Sequence, residues 1–201
     1  MITSVDQLDM EKTYSYADYL TWKFDEYVEL IRGKVFFLPT PYTAHQFTLL
    51  KIGVRLETFT EKNRYHTYVR PFDVRLLDRN VSKKYKDIFS VVQPDICVIC
   101  DLSKLDERGC VGAPDLIVEV LSKETKKKDY TEKKDLYEQN GVKEYWIVST
   151  KDRSLTAFDL DENGKYQFRD TLFEGDFVSS KVLENFELDL GKIFLPDEDE
   201  D

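Results

Sequence analysis

Gln93-Pro94-Asp95-Ile96-Cys97-Val98-Ile99 and Pro114-Asp115-Leu116-Ile117-Val118-Glu119-Val120-Leu121 are two short runs of Ile, Val and Leu that carry acids. Such runs read as strands covered on both faces. A carboxylate inside one needs a metal ion, a cation or strong hydrogen bonds, because an unpaired buried charge is very unfavourable. Asp95 opens the first run, Glu119 lies near the end of the second, and a lysine-rich segment, Ser122 to Lys134, follows. Two carboxylates and a lysine at strand ends are the parts required by a metal-dependent phosphodiester-cleaving site.

Outside these runs, composition sets the limits. With 201 residues and 41% hydrophobic content, the chain can bury one sizeable core, so one domain is expected over residues 1–196. Asp197 to Asp201 is an unbroken acidic run after Pro196 and reads as a solvated, disordered tail. The net charge of −10 argues against a protein that holds nucleic acid through a broad basic surface. Locally the sign reverses, since Ser122 to Lys134 holds six lysines against Glu124, Asp129 and Glu132, enough to draw in a phosphate. Lys126-Lys127-Lys128 within it reads as a solvated loop.

No apolar run approaches the ~20 residues needed to span a bilayer, and Met1 to Asp6 has no basic or apolar leader character. The expectation is a cytoplasmic protein with no membrane and no organic cofactor. Cys97, Cys100 and Cys110 form no even-numbered disulfide framework. Cys97 and Cys100 are three apart on a strand, so their side chains point to opposite faces and cannot grip one metal. With His45 and His66 as the whole histidine complement, a histidine-built metal centre is not expected.

Periodicity places a short helix over Ser15 to Trp22 and a hairpin of Tyr27–Ile31 with Lys34–Leu38 turning at Arg32-Gly33. From Thr43 to Lys62, Phe47, Leu50, Val54, Leu56 and Phe59 follow helical spacing, with Thr43 as a cap. Strands follow over Tyr65–Val69 and Phe72–Leu77, a loop over Val81–Lys86, and the two acid-bearing strands, joined by a polar stretch around Lys104 to Gly112. A helix from about Thr131 to Asn140 ends at Gly141, and a strand covers Glu144 to Val148. A hairpin of Ser154–Leu160 with Lys165–Phe173 around Glu162-Asn163-Gly164 precedes a remainder, to Leu195, that is irregular or short strands. These elements predict an α/β or α+β domain with a central mixed sheet flanked by helices, whose strand ends hold the ligand.

QPDICVI, APDLIVEVLS and KKKDYTEKKDLYEQNGVKEYWIVS, together with the opening YVELIRGKVFFLPTPYTAHQ, resemble the Uma-type restriction endonuclease family of the PD-(D/E)XK nuclease superfamily. The resemblance runs from about Tyr14 to Phe194 and is most specific from Pro114 to Val148. It implies a restriction-endonuclease-like core, divalent-metal-dependent cleavage of DNA and a homodimer. It matches Asp95 to the superfamily's first aspartate, Glu119 to its second acid and Glu29 to an upstream glutamate. The usual lysine two positions after the second acid is replaced by Leu121. The family resemblance assigns that role to Lys133, although helical periodicity leaves Lys134 on a face shared with Tyr137 as well.

In this reading Mg²⁺, or Mn²⁺ in its place, takes oxygen ligands from Asp95, Glu119 and a backbone carbonyl near Val120, and keeps several waters. Lys133 positions a water or offsets charge on the phosphate, and Glu29 binds a second ion or polarises water. Asp115, which also follows a proline, reads instead as a strand-start aspartate satisfying backbone donors. His45 reads as a structural or helix-start residue. Two other functions remain open: a non-cleaving scaffold that binds nucleic acid or protein, and a nuclease acting on RNA.

Overall fold

The computed structural model describes residues 2–78, 82–122 and 126–196. The acidic tail and the start of the loop expected after Leu77 lie outside them. Among the described residues two six-stranded mixed sheets form the body. Their strands are β1 (Val28–Ile31), β2 (Lys34–Phe37), β3 (His66–Val69), β4 (Val74–Leu76), β5 (Ser90–Val92), β6 (Ile96–Ile99), β7 (Leu105–Asp106), β8 (Gly109–Val111), β9 (Leu116–Val120), β10 (Glu144–Ser149), β11 (Ser154–Leu160) and β12 (Tyr166–Phe173). The first sheet runs β2-β1-β5-β4-β8-β7 and the second β12-β11-β10-β9-β6-β3. A further ribbon pairs β13 (Phe177–Ser179) with β14 (Glu187–Asp189).

The acid-bearing strands β6 and β9 are antiparallel neighbours in the second sheet, with Ile96 opposite Val118. β9 and β10 run parallel, joined by the helical crossover such a pair needs. Alternation along them sorts side chains between two cores. Ile96, Val98, Leu116, Val118, Val120, Trp146 and Val148 pack with Leu49, Ile52 and Leu56 of the long helix α2 (Thr43–Asn63). Cys97, Ile99, Ile117, Tyr145 and Ile147 face the first sheet and Leu136 and Tyr137 of the crossover. The outer face of the first sheet is covered by the N-terminal segment, including Tyr16 of the short helix α1 (Tyr16–Tyr19).

Several expectations are corrected. The face of α2 that packs is Leu49, Ile52 and Leu56 with Thr48 and Thr60, whereas Leu50 and Val54 are 61% and 54% exposed. Two apolar stripes overlap on this helix, and its small and hydroxyl residues choose the buried one by fitting close to the sheet. Thr43 is the first helical residue rather than the cap; Tyr42 occupies the cap position and makes no side-chain capping bond. The stretch around Lys104 to Gly112 pairs as β7 and β8, and the buried guanidinium of Arg75 bonds Asp106 at 2.9 and 2.5 Å. The crossover is helical from α3 (Lys126–Lys128), through a π-helical turn at Asp129–Lys133, to α4 (Lys134–Asn140). At Arg32-Gly33 both φ angles are positive, 50° and 77°, and a Cβ on Gly33 would meet Thr13 Cγ2 at 2.3 Å, so glycine is required there.

Candidate active site

Glu119 leaves β9 on the face toward the first sheet, and Lys133 reaches it from the crossover. The Lys133 Nζ donates to Glu119 Oε1 at 2.8 Å and lies 2.9 Å from Glu29 Oε1. Tyr137 Oη donates to the same Glu119 oxygen at 2.7 Å. The π turn contributes to this placement: it holds Asp129 and Lys133 both buried and 4.0 Å apart. Such a widened turn inside a helix is a recurrent feature of functional sites. Lys134, the alternative lysine, points elsewhere and lies over the rings of Phe158 and Tyr166 at 5.0 and 5.7 Å.

Glu29 is fully buried on β1, so the solvent-facing position that alternation allows is not the one it takes. The two sheets enclose it, and it accepts from the Gln93 backbone N–H at 2.9 Å and from Lys128 Nζ at 3.0 Å. Lys128, expected in a solvated loop, is thus drawn into the site. Burial acts to raise the Glu29 carboxyl, but the Lys133 and Lys128 cations outweigh it and hold it below its ordinary value.

Asp95 stands just before β6, next to the end of β9. Its Oδ2 accepts from the Val120 backbone N–H at 2.8 Å and from His45 Nε2 at 3.2 Å. Its Oδ1 is buried without a hydrogen-bond partner among the described residues, with the Arg70 cation 3.6 Å away. Burial pushes Asp95 up, but the His45 hydrogen bond and the charges around it win, so its carboxyl lies below the ordinary value. Glu119 behaves oppositely: burial and the carboxylates of Asp129, Asp95 and Glu29 push it up to about 8 despite Lys133. Lys133 itself is raised, because Glu119, Glu29 and Asp129 outweigh the burial that would deprotonate it. One ammonium serves several acids here, so it cannot lower them all.

Asp115 is not part of this cluster. It begins β9 at the far end, where its oxygens take the Cys100 N–H at 2.8 Å and Lys143 Nζ at 2.7 Å. Sequence reasoning left out His45, Arg70, Lys128, Asp129 and Tyr137. For two of them a signal was present: Asp129 and Tyr137 repeat with Lys133 at a spacing of four along a helix. His45 and Arg70 come from other elements and carry no local sign of their partner.

Among the described residues, no group of three or more His, Cys, Asp or Glu side chains is arranged to hold a metal ion. Asp95 and Glu119 do line one cavity of about 10 Å³ with Val120, Lys133 and Arg70, room for a single water-sized occupant. The Asp95 oxygen without a hydrogen bond, and the Glu119 carboxyl raised by burial and by its acidic neighbours, are both open to a further cation. Hard oxygen donors in a small number suit Mg²⁺, which keeps several of its waters. The pair therefore fits a divalent ion as a partial ligand set.

No helix among the described residues is long and apolar enough to cross a membrane. A comparison with curated proteins gives no match. Among solved structures the chain is similar to "a putative nuclease belonging to DUF820 from Anabaena variabilis ATCC 29413", with a TM-score of 0.68 and 16% identity over 90% of this chain and 97% of that one. At that identity the likeness establishes the fold, the mixed α+β, restriction-endonuclease-like class expected from the sequence. Residues 16–191 match the Uma2 family, described as "Putative restriction endonuclease", and the chain belongs to that family.

Proposed function

We propose that this protein is a divalent-metal-dependent endonuclease that hydrolyses phosphodiester bonds of DNA. Asp95 and Glu119 are its metal-holding acids, with Lys133 and Glu29 as further catalytic residues. The observation that carries this reading is the crowding at Glu119, a buried carboxyl pushed up to about 8 that shares a cavity with the bare Oδ1 of Asp95. Gathering Glu29, Asp95, Glu119 and Asp129 around three cations, Lys133, Lys128 and Arg70, leaves Glu119 perturbed, and such perturbed clusters mark sites of chemistry.

A divalent cation, Mg²⁺ or Mn²⁺, would be held by Asp95, Glu119 and the Val120 carbonyl, and when bound it acidifies a water and offsets charge on the phosphoryl oxygens. The chain's own groups prepare the site. His45 and the Val120 N–H fix one oxygen of Asp95, and the other, with the Arg70 cation 3.6 Å away and no hydrogen bond among the described residues, can turn to a ligand. Lys133 stays protonated, so it acts as a donor that orients water or steadies the charged phosphate rather than as a base. Glu29 is anchored by the Gln93 N–H and Lys128 and in turn holds Lys133 in place. Cutting both strands of a duplex is simplest with two copies related by a twofold axis, so a homodimer belongs to this reading.

Supercoiled plasmid incubated with the purified protein and Mg²⁺ or Mn²⁺ tests the proposal. The expected result is nicking that EDTA and Glu119→Gln both abolish. Binding of nucleic acid without cleavage of DNA or RNA would replace the enzyme with a binding scaffold, and cleavage of RNA alone would change the substrate.

A further inference from the structure

Beside the carboxylate cavity lies a second, larger pocket of about 330 Å³ that the proposed chemistry does not use. Tyr42, Ala44 and Leu121 give it apolar walls, and Lys126 and Lys151 belong to its lining. His45 and Ser122 line both this pocket and the carboxylate cavity, so the two spaces are neighbours. We propose that this pocket receives an unpaired nucleoside flanking the scissile phosphate, so that the substrate is a nucleic-acid strand with an unstacked base at the cut. This inference rests on the nuclease reading and sharpens its substrate.

Four observations converge on this occupant. The volume suits one nucleoside but is far too small for a base pair within a stacked duplex. Tyr42 is 61% exposed at the mouth of α2, where a phenol ring can stack on a base. The first turn of α2 carries no acid and has no side-chain capping bond, a helix start of the kind whose backbone N–H groups can take a phosphate. His45, 6% exposed, keeps its Nδ1 without a hydrogen-bond partner among the described residues, a polar atom at the boundary of the two spaces. Charge agrees: Lys126 and Lys151 against Asp152 leave the lining cationic in a chain of net charge −10. An apolar slot with basic residues beside a phosphate-cleaving site matches a base and its backbone together.

The test is fluorescence anisotropy in EDTA, so that binding is read without cleavage. Its probes are a labelled single strand of about 12 nucleotides and the matched blunt duplex. The expected result is a single strand bound about tenfold more tightly than the duplex, with Tyr42→Ala removing most of that difference. Lys151→Ala should weaken both probes and lower the slope of log affinity against log salt by about one. Both side chains are exposed, so neither variant threatens folding. Equal or tighter duplex binding, or an unaltered preference in Tyr42→Ala, overturns the inference. Plasmid nicking measured in parallel separates the two readings. Nicking without strand preference sinks only the pocket, preference without nicking sinks only the cleavage, and the absence of both sinks the two together.

Discussion

The two ends of the β6–β9 strand pair carry the same Pro-Asp sequence and opposite chemistry. At the Asp115 end each acid is matched by donors. Asp115 takes a backbone N–H and Lys143. Glu144, which opens β10 beside Leu116, is fully buried and accepts from Trp146 Nε1 at 2.8 Å, Arg169 at 2.6 Å, Ser180 Oγ at 2.6 Å and the Lys181 N–H at 2.9 Å. At the Asp95 end four acids, Glu29, Asp95, Glu119 and Asp129, share the cations Lys133, Lys128 and Arg70, one Asp95 oxygen has no hydrogen-bond partner among the described residues, and Glu119 is raised to about 8. Burial is equally deep at both ends, so burial does not distinguish structure from function. The difference lies in whether the buried charge is satisfied.

The largest effect expected from this contrast is on stability at the matched end. Glu144→Ala leaves Arg169 with Asp159 alone as its carboxylate and takes the acceptor from Trp146 Nε1, Ser180 Oγ and the Lys181 and Val182 N–H groups, and should cost about 3–5 kcal/mol, a fall of about 10 °C in the thermal midpoint for a chain of this size. Thermal denaturation reads it directly; a midpoint within a degree or two of wild type would break the comparison at this end.

Glu119→Gln should act on chemistry instead. Metal-dependent nicking falls by about a hundredfold or more, equivalent to about 2.7 kcal/mol. The metal-free melting point stays level, because the amide replaces a carboxyl that, pushed up to about 8, is already mostly protonated at neutral pH. A sharp loss of stability with nicking retained would make Glu119 a structural acid like Glu144.

Acid sharpens the contrast at Asp115. Burial raises this carboxyl, but Lys143, the Cys100 N–H and Lys104 together hold it below its ordinary 3.8. Its ionised form therefore stabilises the fold above that value, and the contribution is lost as pH falls through the lowered, folded value. Asp115→Asn should be less stable than wild type by about 1.5 kcal/mol at pH 7, with the gap closing below about pH 4. Denaturant melts at several pH values check this, and a gap constant across the series would contradict the matched-charge account. The smallest effect belongs to Lys134→Ala, which removes a cation from above two rings and should cost about 0.5–1 kcal/mol while leaving nicking intact. Loss of cleavage in that variant would move the catalytic lysine one position along the helix.

Much of this was legible in residue order. The apolar runs announced β6 and β9, and the improbability of acids within them singled out Asp95 and Glu119. The Arg32-Gly33 turn and the Gly141 helix stop, with φ of 84°, were readable because their backbone angles favour glycine. Illegible were β7 and β8, too short to leave a periodic pattern, and the buried face of α2, where small and hydroxyl residues rather than large apolar ones meet the sheet. Lys128 looked like one of three solvated lysines, and only the position of Glu29 across the sheets draws it inward.

The sequence by itself determined the longer strands, the crossover helix and the two acids that cannot be buried without a reason, because local periodicity and the penalty for buried charge act within a short stretch of chain. Only the tertiary structure decided how those acids are matched. It brought Glu29 from the first sheet, His45 from α2, Arg70 from the loop after β3 and Lys133 from a π turn to one end of a strand pair. It also left Asp115 and Glu144 fully partnered at the other end. Charge satisfaction depends on distances of a few ångströms between segments far apart in the chain, and residue order alone carries no measure of them.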